Sequence, residues 1–297
     1  MTDYYGGVEL GGTKTLVLLA EGDRIVARRS IPTGQPQDTL HQAAEQLRDW
    51  NRATPFTAVG IASFGPLQLK RDAPDFGRML PTPKPGWAGA DIAGTLTGGL
   101  DCPWAIDTDV NGAALAEYRW GAGKGSTSLC YITIGTGLGG GVLAGGVPVH
   151  GAMHPEVGHI RIRREAGDGF AGACPFHGDC VEGLVAGPAL AARFGARMED
   201  VRDDDPRWRD VASDIAELIG TLLLTTAAER ILFGGSVATR RPFLLPMARD
   251  RALERLAGYL PAFTPDSAAD MVRLAGLGDD AGPYGAIALA QAARPDI

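Results

Sequence analysis

Two stretches of the chain carry the same hydrophobic pattern. Val8 to Leu10, the turn Gly11-Gly12-Thr13-Lys14 and the apolar run to Ala20 read as strand, glycine turn, strand, and a second turn at Glu21 to Arg24 leads into Ile25. Far downstream, Leu129 to Ile134, Gly135-Thr136-Gly137 and Leu138 to Leu143 do the same, so the pair reads as a distant internal repeat. Two such hairpins predict two similar lobes, each lending a turn to one cleft.

Between and after the hairpins the period alternates. Asp38 to Trp50 predicts a helix with Leu40, Ala43, Ala44 and Leu47 on one face. Thr57 to Phe64 predicts a strand that ends at Gly65-Pro66. A Pro-rich segment, Pro81 to Trp87, leads into a helix from Trp87 to Leu96, then a short strand from Pro103 to Asp107 and a helix from Asp109 to Glu117. In the second half, Val181 to Phe194 reads as a helix interrupted near Gly187-Pro188, and Trp208 to Glu229 as a long one. A strand from Ile231 ends in a Gly234-Gly235-Ser236 turn. A helix from Arg241 to Tyr259, a strand from Met271 to Leu274 and an Ala-rich helix to about Ala293 follow. The alternation predicts an α/β protein with two mixed sheets and covering helices. A shift to Gly121-Ala-Gly-Lys-Gly125 marks a junction between a small lobe, 1–119, and a larger one, 120–297, with the last helix a candidate to return to the first lobe.

Composition narrows the function classes. A formal charge of −7 offers no broad basic surface, which sets nucleic acid aside as a partner. No apolar run is long enough to span a bilayer, and no basic-then-apolar leader opens the chain, so membrane and secretion are both disfavoured. The cysteine usage suits a reducing cytoplasm. Cys130 lies in a strand as a core thiol, and Cys174 and Cys180 flank His177 rather than each other. With His159 upstream, those residues have the composition and compactness of a tetrahedral zinc site. Glu156 and Glu182 bracket the cluster without being required as ligands, and His154 is either an alternative donor or a support for the neighbouring loop.

Three further features bear on chemistry. Gly11 to Lys14 superficially suggests a P-loop, but Gly-x-x-x-x-Gly-Lys-Ser/Thr is absent and no helix follows. It is either a plain glycine hairpin or a phosphate cradle, and its repetition at Gly135 to Gly137 strengthens the second reading. Asp109 sits at a strand-to-helix junction, as an N-cap or at the strand ends where open α/β sheets bind ligands. Trp87 and Phe64 read as packing residues.

Taken in order, Gly11 to Lys14, Ser63 to Pro66, Thr82 to Trp87, Asp107 to Glu117, Gly135 to Gly140, His154 to His159, the Cys174 cluster with Glu182 to Pro188, and Gly234 to Ser236 resemble the ROK family of bacterial sugar kinases, and within it the fructokinases. The resemblance covers essentially the whole length. It implies an actin-like ATPase (ribonuclease H-like) duplicated fold, two lobes around a central cleft, and transfer of the ATP γ-phosphoryl group to a hexose hydroxyl. It also implies Mg2+ with ATP, a structural Zn2+ on His159, Cys174, His177 and Cys180, and a homodimer. Asp109 matches the catalytic aspartate, the base for the sugar hydroxyl. Sugar-binding positions map to Ser63, Gly65, Pro66, Thr82, Thr108, Asp109, Glu156, His159 and Glu182. Nucleotide-binding positions map to Gly11, Gly12, Thr13, Lys14, Thr133, Gly135, Thr136, Gly137, Gly234, Gly235 and Ser236. Glu9 stands where many members have Asp.

Thr108-Asp109 in place of Asn-Asp, the Cys-Pro-Phe-His-Gly-Asp-Cys pattern and the Thr82 to Trp87 segment favour fructose. Mannose, glucose and N-acetylmannosamine are the alternative sugars. The non-catalytic alternative is a sugar-sensing repressor of the same family. Those carry an added N-terminal DNA-binding domain, for which the chain has no room before its first strand, and Asp109 points to an enzyme.

Overall fold

In the computed structural model, which describes residues 2–294, the first hairpin forms where glycine interrupts the apolar run. β1 (Tyr4–Leu10) and β2 (Lys14–Glu21) pair antiparallel with Leu10 opposite Thr15, and β3 (Arg24–Pro32) follows antiparallel to β2. β4 (Ala58–Ser63) then adds parallel to β1, and β5 (Trp104–Thr108) parallel to β4, for an order β3-β2-β1-β4-β5. Every residue of β4 is buried, as a parallel strand covered on both faces requires. The helices α1 (Pro36–Ala53) and α2 (Ile92–Thr97) connect these strands, and α3 (Asp109–Trp120) follows β5. Pro36 opens α1 in its first turn, where a missing N–H costs nothing, and Leu40, Ala43, Ala44 and Leu47 are its buried stripe.

The second sheet repeats the plan. β6 (Ser128–Ile134) and β7 (Leu138–Ala144) form the hairpin, with β8 (Val147–Pro148) at the edge. β9 (Arg230–Gly234) adds parallel to β6 and β10 (Val272–Leu274) parallel to β9, giving β10-β9-β6-β7-β8. The internal repeat is therefore one of topology. The remaining helices are α4 (Val181–Val185), α5 (Gly187–Phe194), α6 (Trp208–Thr226), α7 (Gly235–Arg240), α8 (Leu244–Leu256), α9 (Ala268–Met271) and α10 (Ala281–Ala292). Val211, Ile215, Leu218 and Leu222 of α6 share one core with Ile132, Ile231 and Phe233.

The chain divides into two compact units. One takes residues up to Trp120, Val147–His154 and the chain from Asp279; the other takes Gly121–Gly146 and Pro155–Gly278. Val147–His154 groups with the first unit, as does α10, which packs on β1, β4 and α3. Only glycine allows that packing. A side chain on Gly60 would collide with the Ala286 carbonyl, and one on Gly285 with the backbone of Gly112, so strand and helices meet backbone to backbone.

Three predicted elements differ from the structure. The helix expected from Trp87 starts only at Ile92, where Asp91 caps it by accepting from Gly94 N at 2.9 Å. Trp87 is instead fully buried, donating through Nε1 to Gly34 O at 3.0 Å, with its ring edge-on to Phe64. The helix expected from Arg241 begins at Leu244, and the long helix expected to reach Glu229 stops at Thr226, where Ala227 turns left-handed. Among the described residues no helix is long and apolar enough to cross a membrane.

One buried ion network ties the 163–180 loop to two helices of its unit. Arg193 of α5 bonds Asp168 at 2.6 Å and Asp214 of α6 at 2.7 Å, and Arg164 also reaches Asp168 at 2.6 Å. Burial pushes Asp214 up to about 6 against the pull of Arg193. Removing Arg193 leaves Asp168 to Arg164 but takes the one close partner from the buried Asp214, so Arg193→Ala is expected to cost about 3 kcal/mol in a urea unfolding curve.

Candidate active site

In the first unit the carboxyl ends of three parallel strands lie side by side. Leu10 pairs with Ser63, and Ser63 with Thr108. Beyond those ends stand the Gly11 to Lys14 turn, the Ser63 to Pro66 loop and Asp109, at the edge where α/β sheets bind ligands. The turn is closed by Gly11 N donating to Lys14 O at 3.1 Å and braced by Thr33 Oγ1 donating to Gly11 O at 2.8 Å. Lys84 Nζ donates to Gly12 O at 2.5 Å. Gly12, Thr13 and Lys14 are exposed. Ser63 is buried and donates to Phe64 O at 2.8 Å, while Thr82 Oγ1 reaches Gly65 O at 3.4 Å. His154 does not join the Cys/His cluster. Its Nε2 accepts from Leu67 N at 3.2 Å and supports the Gly65-Pro66 loop.

Asp109 is the first residue of α3, but the cap of that helix is shared. Thr108 Oγ1 accepts from Asn111 N at 3.2 Å, whereas Asp109 Oδ1 takes the adjacent Val110 N at 2.9 Å. Burial raises Asp109 to about 6, with the Val110 amide pulling the other way. Glu9, at the end of β1, is pushed up to about 7 by burial and then by the charge of Asp109, while Lys14 and Arg28 oppose the rise. Behind them Asp107 is buried, accepting from Thr108 N at 2.7 Å and Asn111 Nδ2 at 2.8 Å. His150, which no motif singled out, places Nε2 3.0 Å from Asp107 Oδ2. That hydrogen bond raises its pKa above the ordinary histidine value.

The second unit holds the other predicted residues. Gly135 N donates to Gly137 O at 2.9 Å and Gly187 N to Gly135 O at 2.7 Å, so the β6–β7 turn is locked onto the start of α5. Beside it opens a cavity of about 570 Å³ lined by Gly135, Thr136, Gly187, Pro188 and Ser236, with Arg197, Arg240 and Arg241 among its other walls. Thr133 pairs with Gly234 across β6 and β9. Gly235 carries φ +83°, and a Cβ there would sit 2.5 Å from Ile134 O. The three arginines escaped the sequence reading because Arg197 lies in a loop without a motif, and Arg240 and Arg241 sit at the end of the short helix α7, which reads in sequence as a turn. Glu182 is tied to the hairpin, its Oε2 accepting from Leu138 N at 3.0 Å, and Glu156 is exposed just ahead of a short 3-10 turn, Val157–His159.

The four Cys/His residues converge. Their ligand atoms all lie within 4.8 Å of one another, with His159 Nδ1 3.8 Å from Cys174 Sγ and 3.7 Å from Cys180 Sγ, and His177 Nδ1 3.7 Å from Cys174 Sγ. A tetrahedral zinc with ordinary bond lengths has N–S edges of about 3.6 Å, so spacing and donor set both fit that ion. Cys174 exchanges two backbone hydrogen bonds with Gly178, at 3.0 and 2.9 Å, which shapes the knuckle before any ion arrives.

Two hairpin-led sheets of identical strand order define the actin-like ATPase fold of the sugar kinases. The sequence profile of the ROK family matches residues 5–293, and the chain belongs to that family. A fructokinase of Zymomonas mobilis is 42% identical over 98% of this chain and 97% of its own length. A fructokinase of Pediococcus pentosaceus is 38% identical over 97% and 98%. Among solved structures, a ROK family glucokinase from Streptomyces griseus in complex with glucose and AMPPNP superposes with a TM-score of 0.74 at 25% identity, covering 98% of this chain and all of that one.

Proposed function

We propose that this chain is an ATP-dependent fructokinase, transferring the γ-phosphoryl group of ATP to the 6-hydroxyl of D-fructose to yield fructose 6-phosphate and ADP. The observation that carries the reading is the shared strand edge, where a half-buried carboxyl group, Asp109, stands beside the Ser63 to Pro66 loop and the glycine turn. Asp109 accepts the hydroxyl proton as that oxygen attacks the γ-phosphorus and the bond to the β-phosphate oxygen breaks. Fructose is favoured by the two relatives named above, and by Thr108 and the Cys174 to Cys180 pattern. Ser63, Gly65, Pro66, Thr82 and Thr108, with Glu156, His159 and Glu182, bind the sugar.

ATP arrives as its Mg2+ complex. The exposed Gly11 to Lys14 turn and the 135–137 turn orient its phosphates, and the cavity bounded by Thr136 and Ser236 takes the nucleotide. Thr133, Gly234 and Gly235 are the neighbouring nucleotide-binding positions. Because Gly235 has a left-handed backbone packed on Ile134 O, Gly235→Ala is expected to raise the ATP KM about tenfold or more, in steady-state assays at saturating fructose. Zinc on His159, Cys174, His177 and Cys180 fixes the loop, and the chain works as a cytoplasmic homodimer.

The test is ADP release with Mg–ATP against fructose, mannose, glucose and N-acetylmannosamine, alongside sedimentation of the protein. Fructose is expected to have the highest kcat/KM. Turnover of none of the four by zinc-replete protein sinks the kinase reading, and glucose fast with fructose inert sinks the choice of sugar.

A further inference from the structure

We propose that Val147–His154 is a strap pinned at two histidines, and that His150 is a positioning residue for Asp109, acting through Asp107 and Asn111. The proposal rests on the kinase reading above and adds a residue to it.

The upper pin is His154. It is buried, and its Nε2 accepts from the Leu67 amide at 3.2 Å, so that nitrogen carries a lone pair and the ring is neutral in this role. The same ring packs 3.5 Å from where a side chain on Gly65 would begin, directly against the Gly65-Pro66 loop.

The lower pin is His150. Its Nε2 lies 3.0 and 3.2 Å from the two carboxyl oxygens of Asp107 and 3.4 Å from Asn111 Nδ2. Since a carboxylate only accepts, His150 must donate here. Asp107 in turn accepts from the amide of Thr108 and the side chain of Asn111, the residues just before Asp109 and two after it. The Asp109 backbone is thus held from both sides by one carboxylate, and the orientation of that carboxylate is held by His150. The strap joins two parts of one strand edge, the base and the sugar loop.

The two pins make opposite demands on the proton. His154 loses its bond to Leu67 when it is protonated. His150 faces Asp107 from β5 and Asn111 from α3, with Arg71 of the 64–91 segment opposing its charge. Its pKa is raised, so the charged pair is complete at low pH and fades as pH rises through that value; a neutral ring with Nε2–H still donates, which makes the fade partial.

Amide hydrogen exchange of the substrate-free protein, followed by mass spectrometry from pH 6 to 9, reads the strap without any turnover. In His150→Ala the protection of Thr108 and Asn111 is expected to fall about tenfold, kcat to fall by a similar factor, and the fructose KM to change less than about threefold. His150→Gln keeps a donor that does not titrate. It is expected to hold kcat within about threefold of wild type, and to abolish the loss of Thr108 protection that wild type shows above neutral pH. Unchanged protection and kcat in His150→Ala overturn the proposal. If that variant does not fold, an alkaline loss in His150→Gln equal to that of wild type overturns it. Should wild type phosphorylate no sugar, the kinase reading fails while the exchange comparison still judges the strap.

Discussion

Asp109→Asn is expected to lower kcat by about 10³-fold while leaving the dissociation constant for fructose within a few-fold of wild type. The amide is nearly isosteric, keeps an oxygen for Val110 N and can still hydrogen-bond a hydroxyl, but it cannot accept the proton at pH 7. The same group sets the acid limb of wild type. A base must be ionised, and burial holds Asp109 near 6, so log(kcat/KM) is expected to fall with unit slope as pH drops below about 6. Isothermal titration with fructose and a coupled assay from pH 5 to 8 measure both effects. Near-normal turnover by the asparagine variant would falsify the base role outright.

The second large effect concerns the Cys/His cluster. Purified protein is expected to hold one zinc ion per chain by atomic emission, and Cys180→Ser to lose it. Four convergent donors without an ion leave two thiols and two imidazoles crowded together without a partner to hold them, while the Arg164–Asp168–Arg193 network and the Glu165 bonds to Ser213 and Arg255 anchor only the front of the loop. Loss of the ion is therefore expected to cost about 3–5 kcal/mol, roughly 10 °C in Tm. His159 presents Nδ1 to the thiols; with its Nε2 in the sugar-binding role proposed above, the fructose KM should rise more than the ATP KM. Zinc-free protein with full activity and an unchanged Tm removes the assignment.

Much of this was legible in the chain because local chemistry carried it. Glycine interrupting an apolar alternation marked both hairpins, three-residue spacing marked the knuckle, and an aspartate between a strand and an Ala-rich helix marked the β5–α3 junction. Each signal needed only near neighbours. Where prediction failed, distant partners decided. Trp87 looked like the first residue of a helix, but Gly34 and Phe64 bury it in a turn. Gly235 looked like part of a turn, yet its left-handed φ lets α7 start directly from β9. His150 pairs with Asp107 across 43 residues, and no local pattern announces such a bond. Arg193 and its two carboxylates are a third case, since charged residues give no sign in the sequence that they will be buried together.

The packing of α10 against Gly60 and Gly112 sets an order of events during synthesis. One unit, Gly121–Gly146 with Pro155–Gly278, is complete on the growing chain before the helix that covers β1 and β4 has been translated. Until then the fully buried strand β4 has a bare apolar face, and no side chain at Gly60 fills the gap. The first sheet, though begun earliest, is closed only when α10 arrives, and until then the nascent chain offers that face to chaperones or to another nascent chain.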